Sequence, residues 1–154
     1  MGTKHQGSDV ERTALDTYIK LLRATETLQS QANAQIIAHG LTMSQFAAME
    51  ALYHLGPMCL KEIGQKILKS GGNMTLVVDN LEKAGFVERK RSQQDRRQIE
   101  VHLTDPGKNK ITQVFPDHAA HLTHLLSVLN PEEQQILGRL TRKLGLGISA
   151  LNQN

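Results

Sequence analysis

Twelve residues, Phe86 to Arg97, hold five cations (Arg89, Lys90, Arg91, Arg96 and Arg97) against two acids, Glu88 and Asp95. That local +3 equals the formal charge of the whole 154-residue chain. Guanidinium and ammonium groups gathered on a short stretch pair with phosphate oxygens, and a narrow minor groove concentrates the negative potential that draws in an arginine. Taken alone, the same segment fits a solvated basic hairpin. Just upstream, Ser70, Gly71, Gly72, Asn73, Thr75 and Leu76, followed by Asp79 and Asn80, supply short hydrogen-bonding groups and methyls. Such groups reach base edges in a major groove, where long charged side chains would stand off. Ser70 and the two glycines sit where a helix N-terminus attracts phosphate, although glycines also simply shape a turn.

The surrounding pattern supplies elements to hold both groups. Apolar residues at three- and four-residue steps (Ala14, Tyr18, Leu21, Leu28, Ala32, Ile36, widened by Leu15, Ile19 and Leu22) predict a helix from Val10 to Ala38. At 1.5 Å per residue it is ~40 Å long, more than one small domain covers, so part of it is expected to pack on another chain. Gly40 stops it. Thr42 with Gln45 forms a capping-box pattern for a second helix, which Gly56 and Pro57 end. Met58-Cys59-Leu60 suits a small strand or a helix entry, and Lys61 to Leu68 a short third helix. A turn, Lys69 to Gly72, leads to a fourth helix whose Met74, Val77, Val78 and Leu81 share one apolar face, with Gly85 past its end.

Phe86–Arg91 and Gln98–Leu103 are strand-like, and in the second Ile99, Val101 and Leu103 alternate with polar residues. Between them lies a wholly polar tip. A fifth helix is expected from the Thr104–Gly107 turn to about Leu129, kinked at Pro116. Asn130-Pro131-Glu132-Glu133 starts a sixth, carrying Ile136, Leu137, Leu140 and Leu144. The fold class is thus mainly α (α+β). It comprises a tail over 1–9, a dimerisation helix over 10–41, a winged helix-turn-helix lobe over 42–104, dimerisation helices over 105–147 and a tail over 148–154.

Hydrophobic residues make up 39% of the chain and charged ones 21%, enough for a core, while 3% aromatics and no Trp make that core aliphatic. The pI near 9.1 is a mild bias toward anionic partners. No run approaches the ~18 apolar residues that span a bilayer, and the polar start has no secretory h-region, so no membrane partner and a cytoplasmic location are expected. The single cysteine, Cys59, forms no internal disulfide, which suits a reducing compartment. No nucleophile elbow, phosphate-binding glycine loop, zinc-protease pair or paired-cysteine motif is present, so neither an enzyme nor a cofactor is expected.

Leu81-Glu82-Lys83-Ala84-Gly85-Phe86-Val87-Glu88-Arg89 and Asp95-Arg96-Arg97 through Leu103-Thr104, with the Leu41-Thr42 to Gln45-Phe46 entry, resemble the multiple-antibiotic-resistance-regulator (MarR) family over about residues 10–147. The resemblance implies a homodimeric regulator, a repressor by family default, on a pseudo-palindromic duplex operator. Its two recognition helices would lie ~34 Å apart. It implies that Arg97 enters the minor groove and that Asp95 holds the wing, pairing with an arginine. Arg89 would brace the wing or contact backbone, and Ser70, Asn73 and Thr75 would face the groove. The first helix and the last two would form the dimer. It also implies a small aromatic or phenolic effector near Tyr18, Leu22, Phe46, Met49 and Tyr53, residues that plain core packing explains equally. Two alternatives remain: a metal- or redox-responsive regulator, and a protein-binding winged-helix scaffold. Cys59 in its apolar run is expected buried and inert rather than redox-sensing. His118, His121 and His124 share a helix at spacings that adjacent zinc ligands use, but surface or interface histidines fit them better, and no metal is expected.

Overall fold

A computed structural model describes residues 4–67, 71–92, 95 and 97–151, with the side chains of 71–73 outside that description. Among the described residues the elements are α1 (Asp9–Ala38), α2 (Met43–Leu55), β1 (Met58–Cys59), α3 (Leu60–Lys66), α4 (Gly71–Lys83), β2 (Val87–Arg91), β3 (Ile99–Leu103), α5 (Asp105–Leu126) and α6 (Pro131–Leu151). They divide into two compact units, one ending at His118 and one beginning at Ala119.

In the first unit the helix ends follow local chemistry. Ser8 with Glu11 and Thr42 with Gln45 form reciprocal capping boxes at the starts of α1 and α2. Gly40 takes φ +76°, and the amides of Gly40 and Leu41 donate back to the carbonyls of Ile37 and Ile36. This is a Schellman ending that any residue with a Cβ would strain. The three strands form one antiparallel sheet in the order β1-β3-β2, with Met58 opposite Val101 and Val87 opposite Leu103. The core joins Ile36 of α1, Phe46, Met49 and Leu52 of α2, Ile63 of α3, Met74, Val78 and Leu81 of α4, Val101 of β3, and Ile111 and Val114 of α5. Across that core the His118 ring meets Phe46 edge-on at 4.6 Å and stands 3.3 Å from the Gln35 side-chain oxygen.

Several boundaries differ from the sequence expectation. The fourth helix begins at Gly71, so both glycines belong to its first turn rather than to the preceding turn. Leu68 and Lys69 lie outside the described residues. Ile99, expected inward, is 55% exposed, because it pairs with Arg91 at the far end of the hairpin, beyond the reach of the core. Cys59 is half-buried rather than buried, and its backbone N–H donates to Glu62 at the start of α3. That bond holds the Glu62 carboxyl below its usual range.

In the second unit the turn after α5 is closed locally. Asn130 and Glu133 exchange backbone-to-side-chain bonds, and the Gln134 amide donates to the carbonyls of Leu126 and Leu129. α6 runs on to Leu151 through Gly145 and Gly147, so 148–151 are helical rather than tail. None of its residues is buried within the chain, and Leu137, Leu140, Leu144, Ile148 and Leu151 line one side of it.

Candidate nucleic-acid interface

Two elements define this site: α4 and the hairpin made by β2 and β3. The inward face of α4 is fixed by Met74, Val77, Val78 and Leu81, all buried. At 100° per residue the opposite side carries Thr75, Leu76, Asn80 and Lys83, each exposed. Asn73 belongs to the first turn of α4. Ser70 and Arg96 fall outside the described residues.

The junction between helix and hairpin is closed by backbone bonds. Gly85, at φ +76°, lets the amides of Gly85 and Phe86 return to the carbonyls of Glu82 and Leu81. The chain leaves directly into β2. At the other end of the hairpin Thr104 takes three partners. Its hydroxyl donates to the Gly85 carbonyl at 2.6 Å and accepts the Gly107 N–H at 3.1 Å, while its own amide donates to the Phe86 carbonyl at 3.1 Å. Gly107 is buried against that carbonyl so closely that a Cβ would overlap the Phe86 oxygen.

Arg89 clamps the hairpin to the helix. Its guanidinium donates to Asp79 at 2.6 Å and to Glu82, and its amide donates to Glu82 at 3.1 Å. Partial burial works against its charge, but the bonds to Asp79 and Glu82 outweigh that cost and raise its pKa, so the group stays protonated. Arg89 therefore ties β2 to α4. Lys90 is likewise paired, with Glu88 at 2.6 Å. Among the described residues of the hairpin, Arg91 and Arg97 remain as exposed arginines with no acidic partner. The local +3 of the sequence thus resides largely at the end of the hairpin. The turn there is shaped by Asp95, whose carboxylate accepts the backbone N–H of Arg97 at 3.0 Å and whose carbonyl accepts Gln98 N–H at 2.9 Å. The expected arginine side chain is not among the partners of Asp95 in the described residues; the bonds that its carboxylate and carbonyl accept there come from backbone.

The five residues that the resemblance implies for an effector differ in burial. Phe46 and Met49 are 1% and 0% exposed, because α2 is the central helix of the core. Tyr18 and Leu22 stand on α1 at 62% and 53% exposure. Tyr53 lies elsewhere, on a shallow cavity of about 350 Å³ with Leu52, Pro57, His102, Leu103 and Lys108. For Phe46 and Met49 the burial matches the core-packing alternative. The His118 ring is committed to the core beside Phe46 and Gln35, while His124 is exposed. No cluster of three metal-ligating side chains occurs among the described residues.

A helix with a short-chained outward face, braced to a cationic hairpin, defines a winged helix-turn-helix DNA-binding protein. A family model described as MarR family matches residues 41–99. Over 133 residues the chain is 38% identical to the HTH-type transcriptional regulator MhqR of Bacillus subtilis, covering 86% of this chain and 92% of that one. Among solved structures, AbsC, a MarR family transcriptional regulator from Streptomyces coelicolor, superposes with a TM-score of 0.82 at 21% identity over 96% of this chain and 99% of its own. BpsR of Bordetella bronchiseptica, whose DNA binding is regulated by 6-hydroxynicotinic acid, does so at 0.76 and 23% identity over 94% and 98%. The chain belongs to the MarR family. It is a DNA-binding transcriptional regulator and not an enzyme. No helix among the described residues is long and apolar enough to cross a membrane.

Proposed function

We propose that this protein is a homodimeric repressor that sets α4 of each subunit in consecutive major grooves of a pseudo-palindromic operator and Arg97 in the flanking minor groove. The observation that carries this reading is the Arg89 clamp. It fixes the hairpin to α4, leaves Thr75, Leu76 and Asn80 outward, and leaves Arg91 and Arg97 without acidic partners. The exposed apolar residues of α1 (Val10, Leu15, Tyr18, Leu22) and the stripe on α6 supply the dimer surface. Arg97→Ala is expected to weaken binding to every duplex and to lower the slope of log K against log salt by about 2 per dimer, from ~0.9 per phosphate-type contact in each subunit. An unchanged slope and affinity, measured by fluorescence anisotropy, sinks the wing assignment.

The proposed effector is a single-ring aromatic acid or phenol, the chemistry that regulates BpsR. The Tyr53 cavity supports this, since it combines the apolar walls of Leu52, Pro57 and Leu103 with the Lys108 ammonium, 3.6 Å from Asp105, and the His102 imidazole, 3.3 Å from Glu100. 4-Hydroxybenzoate serves as probe. It is expected to release wild-type protein from operator DNA and to lose that effect in Tyr53→Ala, whereas equal release from both rules out the cavity.

A further inference from the structure

The outward side of α4 contains one feature that a solvated helix does not require. Leu76 is 59% exposed, with its helix anchored from the other side by Met74, Val77, Val78 and Leu81. On the helical wheel it lies about 150° from the centre of that buried face, and Lys83, two turns on, lies beside it. The nearest acid on this side, Asp79, is turned into the Arg89 clamp. Thr75 and Asn80 flank the leucine, and both can exchange hydrogen bonds with bases.

We propose that Leu76 is a specificity-determining residue that selects a pyrimidine C5-methyl group, in ordinary DNA a thymine, at one position of each half-site. The proposal rests on the reading that α4 enters the major groove. There, adenine, guanine and cytosine edges present only donors and acceptors, and thymine alone adds a methyl group. A leucine side chain has no polar atom. Pressed on a donor or acceptor it strips water and returns no hydrogen bond, which is costly. Pressed on a methyl group it removes apolar surface from water on both sides. The preference therefore has an attractive part, burial of the methyl, and a repulsive part, rejection of the other three bases.

The experiment begins with selection of tight sites by the full-length wild-type protein from a randomised duplex pool. Failure to enrich any sequence counts against the DNA-reading orientation itself, and so separates that failure from failure of the proposal. Each thymine of the selected duplex is then replaced by deoxyuridine, which deletes only the methyl group. One thymine per half-site is expected to lose about fourfold in affinity, and about fifteenfold when both half-sites are changed. Placing cytosine there weakens binding further, and 5-methylcytosine recovers part of the loss. Leu76→Ala, an exposed helix position that alanine suits, is expected to bind the thymine and deoxyuridine duplexes equally. Leu76→Gln is expected to shift selection at that position toward adenine. The proposal is overturned if no deoxyuridine weakens wild-type binding. It is also overturned if Leu76→Ala keeps the methyl dependence, or if Thr75→Ser abolishes that dependence in its place.

Discussion

Replacing Arg89 by Met keeps an unbranched stem and removes both charged bonds between the hairpin and α4. The two acids it holds, Asp79 and Glu82, are each more than a third exposed, so solvent screens the pairs. Pairs of that kind contribute about 0.2–1 kcal/mol each, or ~1 kcal/mol for the two together. Urea unfolding at fixed protein concentration is expected to show that loss, equivalent to a melting shift of about 2–4 °C for a chain of this size. A cycle with Asp79→Asn is expected to give a coupling of about 0.5 kcal/mol. DNA binding separates a brace from a phosphate contact. With the wing loosened, affinity falls, but the salt slope stays at its wild-type value, because Arg89 already neutralises two carboxylates and releases no counterion from DNA. A cycle that is additive within error, together with a slope lowered by about 2 per dimer, would show that the guanidinium grips the backbone and would refute the clamp.

Gly107→Ala places a methyl inside the van der Waals sphere of the Phe86 carbonyl, and overpacking of that kind costs about 1–3 kcal/mol, which thermal melting checks. Leu144→Glu puts a charge in the middle of the α6 stripe. Sedimentation is expected to show a monomer with weakened operator binding, and an intact dimer at micromolar concentration removes α6 from the interface. The Cys59 N–H holds the Glu62 carboxyl below the usual glutamate range. The folded pKa is the lower one, so this contribution to stability is present above the unfolded pKa and is lost as pH falls through the folded one. The gap in unfolding midpoint between wild type and Glu62→Gln is expected near neutral pH and closes in acid below that range; a gap constant into that range contradicts the bond.

The parts of this fold governed by neighbours in sequence were legible in advance. The Thr42–Gln45 capping box, the glycine stops after α1 and α4, the polar-tipped hairpin and the buried face of α4 follow from spacing within a few residues, whereas the Ser8–Glu11 box lies where a tail was expected. The departures depend on which groups meet once the chain is folded. Counting charge made Arg89 and Lys90 available to a ligand, yet Asp79 and Glu82, seven to ten residues upstream, engage the first, and Glu88 engages the second. Alternation placed Ile99 inward, but the hairpin outruns the core that alternation presumes. A tail was expected from residue 148, whereas Ile148 and Leu151 prolong the apolar stripe of α6 in helix. Burial likewise cannot be read from one helix at a time: Phe46 and Met49 are enclosed while Tyr18 and Leu22 are exposed.

The single hydroxyl of Thr104, at the end of the hairpin, joins the turn that follows α4 to the first turn of α5 through atoms that are backbone on the far side, the Gly85 carbonyl and the Gly107 amide. Backbone partners are indifferent to side-chain identity. On the proposed DNA-reading role of α4, descendants of this sequence can exchange Thr75, Leu76 or Asn80 and so acquire new target sequences, while the frame that aims them is inherited intact.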